Sequence, residues 1–159
     1  MRKFSKAVKS AMSYVNNILL PLDEHYYHHY NHALDVMYRA IYLWEKEWVS
    51  DEDIEILILA ALFHDTWFII QYEDNEEFWA KVASNYLKTI LYPKAKISKI
   101  EDLIMSTSPY YTEPDDILES IIKDADIDNI WREDFFEKWD ELRLSLIHIS
   151  EPTRPRLIS

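Results

Sequence analysis

Residues 53–65 read DIEILILAALFHD, and this stretch decides the fold of the chain. Its apolar side chains cover nearly the whole circumference of a helix, which predicts a central helix that is buried on all sides. The stretch ends on two polar residues, His64 and Asp65. Burying an imidazole beside a carboxylate costs free energy unless both groups are paired, so this end of the predicted helix is a candidate functional site.

Helical spacing of apolar residues continues on both sides of this segment. It predicts further helices over residues 3–19, 31–48, 75–91, 98–105, 116–128 and 133–143. Ser50 with Asp53, and Thr112 with Asp115, have the spacing of capping boxes that open helices. The sequence therefore predicts an all-α fold, a bundle of about six or seven helices.

The composition excludes several classes of function. The chain of 159 residues has no glycine, so neither a Walker loop nor a dinucleotide-binding fingerprint can form. It has no cysteine, which excludes disulfides and thiolate metal sites and fits a cytoplasmic location. A net charge of −12 disfavours nucleic-acid polymers and anionic membranes as partners. We therefore expect a small-molecule ligand, and the sequence leaves the oligomeric state open.

The C-terminal residues differ in kind from the rest of the chain. Residues 144–154 read LSLIHISEPTR, which resembles the translation of a common sequencing-library adapter. We expect the natural reading frame to be lost near Arg143 and residues 144–159 to be a non-native tail; the alternative is a natural disordered tail that contains proline. The prediction is then a single domain over residues 1–143.

Histidines and carboxylates in the rest of the chain form a candidate metal site. Imidazole and carboxylate ligands together suit divalent ions such as Mn, Fe, Co, Ni or Mg. Judged by residue types alone, a buried pair of His64 and Asp65 is more often a structural hydrogen bond than a metal site. A second alternative is a zinc site in the histidine cluster of residues 25–32, which lacks both cysteine and a paired second motif.

Three motifs, which follow one another along the chain, resemble those of a known family. They are YHHYNHALDVM (27–37), AALFHDTWF (60–68) and IIKDADIDNI (121–130). Together they resemble the HD-domain superfamily of metal-dependent phosphohydrolases, and are closest to its small, single-domain members. The resemblance implies an HD-domain-like helical bundle, a bound divalent metal ion and hydrolysis of a small phosphorylated metabolite, such as a nucleotide or nucleoside phosphate.

The resemblance also implies the metal ligands, residue by residue. The first histidine of the family pattern falls on His32, the adjacent pair on His64 and Asp65, and the late aspartate on Asp126. Asp124 is the alternative to Asp126 if the register differs. No histidine lies between Asp65 and the C-terminal tail, so we expect one metal ion rather than two, unless Glu76 or Glu77 bridges a second.

The remaining candidate residues have catalytic or substrate-binding roles. Asp65, or Glu76 through a water, is the candidate proton acceptor. His28 matches a recurrent position of the family and is a candidate to hold a water or a phosphate oxygen. The candidate cations for binding the phosphate are Arg39, Lys123 and Arg132.

Departures from the family pattern leave a second function open. Trp67 and Trp131 stand where relatives often have glycine, and residues 75–76 read Asn-Glu where relatives often have His-Glu. The alternative function is a non-catalytic, metal-bound helical module that binds a nucleotide or a protein partner. An oxygenase is disfavoured because it requires further histidines.

Overall fold

The computed structural model describes residues 3–19, 30–47, 50, 52–65, 75–111 and 113–128, and these form six helices and no strand. The helices are α1 (Lys6–Leu19), α2 (Tyr30–Lys46), α3 (Asp53–Phe63), α4 (Asn75–Thr89), α5 (Lys94–Ser106) and α6 (Ile117–Ile127). The predicted all-α fold is confirmed. The predicted helix 133–143 and the predicted tail 144–159 lie outside the described residues. None of the described helices has the length and apolar character needed to cross a membrane.

The central position of α3 is the main feature of the architecture. Nine of its eleven residues are buried, which leaves only Asp53 and Glu55 in contact with solvent. Each of the other five helices packs against α3. Burying one Leu or Ile side chain contributes about 1.5–3 kcal/mol, so this helix supplies a large share of the folding free energy. The predicted burial is confirmed for Ile54 and residues 56–64, whereas Asp53, Glu55 and Asp65 are half-buried.

Helix α2 turns an apolar face toward α3 and α6, and this face carries His32. Its buried residues follow three- and four-residue steps, and they are His32, Ala33, Val36, Met37 and Ala40. An imidazole on the buried face of α2 therefore points into the interior, where α3 and α6 also pack. The amphipathic pattern of one helix thus positions one of the predicted metal ligands.

The start of α6 lies within one residue of the predicted range 116–128, but its cap differs from the sequence prediction. The helix begins at Ile117, and its N-cap is Asp116, whose carboxylate accepts the N–H groups of Leu118 and Glu119 at 2.8 and 3.0 Å. Glu119 in turn accepts the backbone N–H of Asp115 at 2.7 Å. The capping box predicted at Thr112 and Asp115 was therefore wrong. Asp116 and Glu119 have the same three-residue spacing and satisfy the helix start instead.

Helix α5 begins earlier than predicted. The sequence predicts residues 98–105, whereas the helix starts at Lys94. Pro93 is its N-cap, and the proline carbonyl accepts the N–H groups of Lys96 and Ile97, both at 3.0 Å. The fixed φ of proline, here −61°, is compatible with the cap position that opens the following helix.

The capping box predicted at the start of α3 forms only in part. Ser50 Oγ donates to the Asp53 carboxylate at 2.7 Å, while the Asp53 N–H donates to the Ser50 carbonyl at 3.2 Å. The serine hydroxyl therefore binds a side chain rather than the backbone N–H that a capping box uses. The predicted start of the helix at Asp53 is nevertheless confirmed.

The end of α4 shows how a chain without glycine closes a helix. Leu91 has a φ of 57°. The Leu91 N–H donates to the Lys88 carbonyl at 3.1 Å, and the Tyr92 N–H donates to the Leu87 carbonyl at 3.0 Å. These two bonds form a Schellman motif, in which glycine usually takes the left-handed position. A leucine there bears a steric cost of about 1–2 kcal/mol because its Cβ crowds the backbone.

We expect Leu91→Gly to raise the free energy of unfolding by about 1 kcal/mol, because glycine removes this steric cost. Little packing is lost, since Leu91 is 92% exposed. Urea denaturation measures the change. Leu91→Ala is the control, because it shortens the side chain but keeps the Cβ and should leave the stability nearly unchanged. A gain of equal size in both variants would contradict the conformational explanation.

Candidate metal centre

Three helices bring their polar residues to one point in the interior. His32 is the third residue of α2, His64 directly follows α3, and Asp126 lies in the last turn of α6. Because α2 packs on both α3 and α6, the three side chains meet although they are far apart in sequence.

The geometry of this cluster is compact. Asp126 Oδ1 lies 3.1 Å from His64 Nε2 and 3.3 Å from His32 Nε2. One ligand atom from each residue lies within 4.8 Å of the other two. Both histidines are only 3% exposed, whereas 27% of the Asp126 side chain is accessible. The cluster is therefore closed on the histidine side and reachable from the side of the carboxylate.

The hydrogen bonding of His64 tests whether the cluster suits a cation. Its Nδ1–H donates to the Ala61 carbonyl at 2.8 Å, so in the neutral ring Nε2 carries a lone pair. That lone pair faces Asp126 Oδ1, which is also an acceptor. Two acceptors 3.1 Å apart repel each other unless a proton or a cation lies between them. A histidine whose second nitrogen is bound to a backbone carbonyl is the usual arrangement of a metal ligand, so the residues fit a divalent ion.

The pKa values follow from the same contact. Burial lowers the pKa of His64, but the charge and hydrogen bond of Asp126, with smaller effects from Asp65 and the Ala61 carbonyl, raise it to about 9. Burial raises the pKa of Asp126, and the two histidines outweigh burial and hold this pKa well below its ordinary value. Without a metal ion, a proton on His64 takes the position between the ring and the carboxylate.

Asp65 lies beside the cluster but is not part of the compact group. It is half-buried in the turn after α3, and its charge contributes to the raised pKa of His64. Successive residues of a helical turn point about 100° apart, so Asp65 and His64 leave the backbone in different directions. The role of Asp65 as a fourth ligand remains a prediction.

The position of Asp124 helps to decide whether the late aspartate of the family pattern falls on Asp124 or on Asp126. Asp124 is exposed and stands outside the group that Asp126 forms with the two histidines. Residues two apart on a helix do not share a face. The geometry therefore favours Asp126 over the alternative register.

Two of the predicted phosphate-binding cations have partners in the structure. Arg39 Nη2 lies 2.8 Å from Asp128 Oδ1, and both residues line a small pocket together with His32 and Asp126. Lys123 donates to the backbone carbonyl of Tyr111 and lies over its ring, and it does not line this pocket.

The other predicted residues lie away from the cluster or outside the described residues. Glu76 is half-buried in the first turn of α4, and Glu77 is exposed and paired with Lys81 at 2.6 Å. Neither belongs to the compact group of possible ligands. His28 and Arg132 lie outside the described residues, so their predicted roles remain predictions.

The sequence analysis missed two charged residues that line the pocket. Asp35 is three residues after His32, a spacing that places both on one face of α2 and that could have identified it. Asp128 was not among the predicted site residues. It is the C-cap of α6, but its carboxylate binds Arg39, a contact between two helices that no local pattern indicates.

Comparison with known families agrees with this geometry. The model of the HD domain family matches residues 29–128, a span that includes all three members of the cluster. The chain therefore belongs to the HD domain family, whose members bind divalent metal ions and are typically metal-dependent hydrolases. Searches of curated proteins and of solved structures find no significant match.

In the metal-free protein, we expect the free energy of unfolding to fall as the pH rises from 6.5 to about 9. The folded-state pKa of His64, about 9, lies above its ordinary value of 6.5. The stabilisation from its proton is therefore complete below pH 6.5 and is lost as the pH rises through 9, a loss of up to about 3 kcal/mol. Urea denaturation across this range measures it. Asp126→Asn should flatten the profile, and an equal slope in that variant would contradict the assignment.

Metal affinity provides a second test, with a matched control on the same helix. We expect Asp126→Asn to weaken Mn²⁺ binding by more than about tenfold. Even the removal of a residue that only hydrogen-bonds to a metal ligand typically weakens metal affinity by at least about tenfold. Asp124→Asn makes the same change of charge two residues away and should leave the affinity within about twofold. Electron paramagnetic resonance of unbound Mn²⁺ measures both. Equal losses in the two variants would indicate a general charge effect rather than a ligand.

Proposed function

We propose that the protein is a metal-dependent phosphohydrolase that acts on a small phosphorylated metabolite, a nucleotide or a nucleoside phosphate. The observation that carries the proposal is the cluster of His32, His64 and Asp126, with ligand atoms within 4.8 Å of one another beside a pocket. Membership of the HD domain family supports the same class of reaction.

His32, His64 and Asp126 would hold one divalent ion, with Asp65 as a further ligand. When bound, such an ion polarises a phosphoryl oxygen and lowers the pKa of a coordinated water. The bond from His64 Nδ1 to the Ala61 carbonyl fixes the orientation of the ring and directs Nε2 toward the site. Burial of both imidazoles keeps bulk water away from that side of the cluster.

Proton transfer would be the task of carboxylates at the edge of the site. Asp65 follows His64 directly and is half-buried, so its carboxylate is the first candidate to accept a proton from the attacking water. Glu76 would act through an intervening water from the first turn of α4. His28 would hold a water or a phosphate oxygen.

Charge limits the class of substrate. The chain carries a net charge of −12, and three aspartates line the pocket against a single arginine among its described residues. A polyanion would be repelled along its length, so we propose a small phosphate ester rather than a nucleic-acid polymer, and no membrane partner.

A screen of phosphorylated small molecules with Mn²⁺, Ni²⁺, Co²⁺, Fe²⁺ or Mg²⁺ tests the proposal by release of inorganic phosphate. We expect hydrolysis of at least one nucleotide or nucleoside phosphate, and its loss when the metal is removed with a chelator. Asp65→Ala should lower kcat by at least about 100-fold, the usual contribution of a proton-transfer group. Asp102→Asn, an exposed change of the same charge on α5, is the control and should retain activity.

A non-catalytic module that binds a nucleotide or a protein partner is the second candidate. The observation in its favour is the position of Asp65, which lies outside the compact group of ligand atoms. A site with three ligands can bind an ion without supplying a proton acceptor in the right place. Bound metal in elemental analysis, with every phosphate ester left intact in the screen, would support the module and contradict the hydrolase.

A further inference from the structure

Arg39 and Asp128 form an ion pair in the pocket that the metal cluster opens into. Nη2 of Arg39, on α2, lies 2.8 Å from Oδ1 of Asp128, at the end of α6. His32 and Asp126 line the same pocket, so the pair lies within reach of a ligand bound at the cluster. The family match identifies no role for either side chain.

Only one of the two N–H donors along one edge of the Arg39 guanidinium has a hydrogen-bond partner among the described residues. Nε and Nη2 lie along one edge of the guanidinium, and together they match two oxygens of a carboxylate or a phosphoryl group. Asp128 takes Nη2, while Nε is buried and has no hydrogen-bond partner in the described part of the chain. A buried donor on a charged group is costly to leave unpaired, which makes this edge a site for an incoming pair of oxygens.

The guanidinium is held in place by more than Asp128. Its Cζ lies 4.8 Å from the centre of the Tyr42 ring, a favourable contact between a cation and an aromatic face. Arg39 can therefore release Asp128 and still keep its position.

Charge makes Asp128 a competitor of any anionic ligand. Arg39 is the one cation among the described residues that line the pocket, and its partner is one of three aspartates there. A singly charged anion gains little by replacing one carboxylate with another. A phosphoryl group carries a double charge, so it gains more from the guanidinium than the singly charged carboxylate that it displaces.

We propose that Arg39 binds the phosphoryl group of the substrate through its Nε and Nη2 atoms, and that Asp128 competes for Nη2 and so selects phosphoryl groups over singly charged anions. This inference rests on the proposed function for the identity of the ligand. Asp128 is a specificity-determining residue that acts through Arg39, and Arg39 is the residue that contacts the ligand.

The experiment is a titration of inorganic phosphate into the ¹⁵N-labelled, Mg²⁺-loaded protein, followed by NMR. The Nε–H resonance of Arg39, assigned by its disappearance in Arg39→Lys, should shift on binding. Arg39→Lys keeps the positive charge but loses the two parallel N–H donors of the guanidinium, so the Kd for phosphate should rise about tenfold. Asp128→Asn should lower this Kd about threefold or more, and should allow acetate to bind where it does not bind the wild type.

Two controls separate this mechanism from a general effect of charge. Asp53→Asn breaks a comparable ion pair, Asp53 with Lys99 at 3.5 Å, at the far end of α3 and should leave the Kd for phosphate unchanged. When Arg39 is already lysine, the further change Asp128→Asn should not lower the Kd for phosphate. Equal gains in both backgrounds, or wild-type phosphate binding by Arg39→Lys, would overturn the proposal, as would an unmoved Nε–H resonance.

The outcomes also separate this proposal from the proposed function. Phosphate binding that follows the expected pattern, with no ester hydrolysed in the screen, would contradict the hydrolase and leave the role of Arg39 and Asp128 standing. Hydrolysis with an unchanged KM and an unchanged phosphate Kd in Arg39→Lys would overturn the role of the pair alone. Circular dichroism and Mg²⁺ affinity should match the wild type in both single variants, which shows that fold and metal site are intact.

Discussion

The contact of the Asp126 carboxylate with two buried imidazoles is the interaction on which the rest of the structure depends. It joins the last turn of α6 to the start of α2 and the end of α3. A carboxylate and two rings are expensive to bury alone, and removing one partner from such a group typically costs about 3–5 kcal/mol. A proton or a divalent ion must therefore accompany the cluster, which links metal binding to stability.

The apolar character of α3 makes this polar cluster possible. A helix that is buried all round gives its five neighbours a common surface, so α2 and α6 are held against each other beside its end. No polar side chain occurs in α3 after Glu55 until His64, where the helix stops and a backbone carbonyl becomes available as a hydrogen-bond acceptor. The site thus sits where the core ends, with one side closed and one side facing the pocket.

Much of the site and the helix pattern could be predicted, and the failures have physical reasons. The resemblance of the motifs to the HD-domain family predicted His32, His64 and Asp126 as metal ligands, and the structure brings the three side chains together. Apolar spacing predicted the six described helices. The cap of α6 was misplaced because two pairs of residues, at 112–115 and 116–119, have capping-box spacing, and local sequence cannot rank them. Asp128 was not predicted as a site residue because its partner, Arg39, is distant in sequence.

The sequence by itself determined the helical class of the protein, because apolar periodicity is a local property, and the order of its motifs predicted the residues of the candidate metal site. The tertiary structure decided which carboxylate meets the histidines and which cation faces the pocket. Asp126 and Asp124 are chemically identical, and only the packing of α6 on α2 turns the first inward and leaves the second in solvent. Packing brings together residues that are far apart in the sequence, and no local sequence pattern covers that separation.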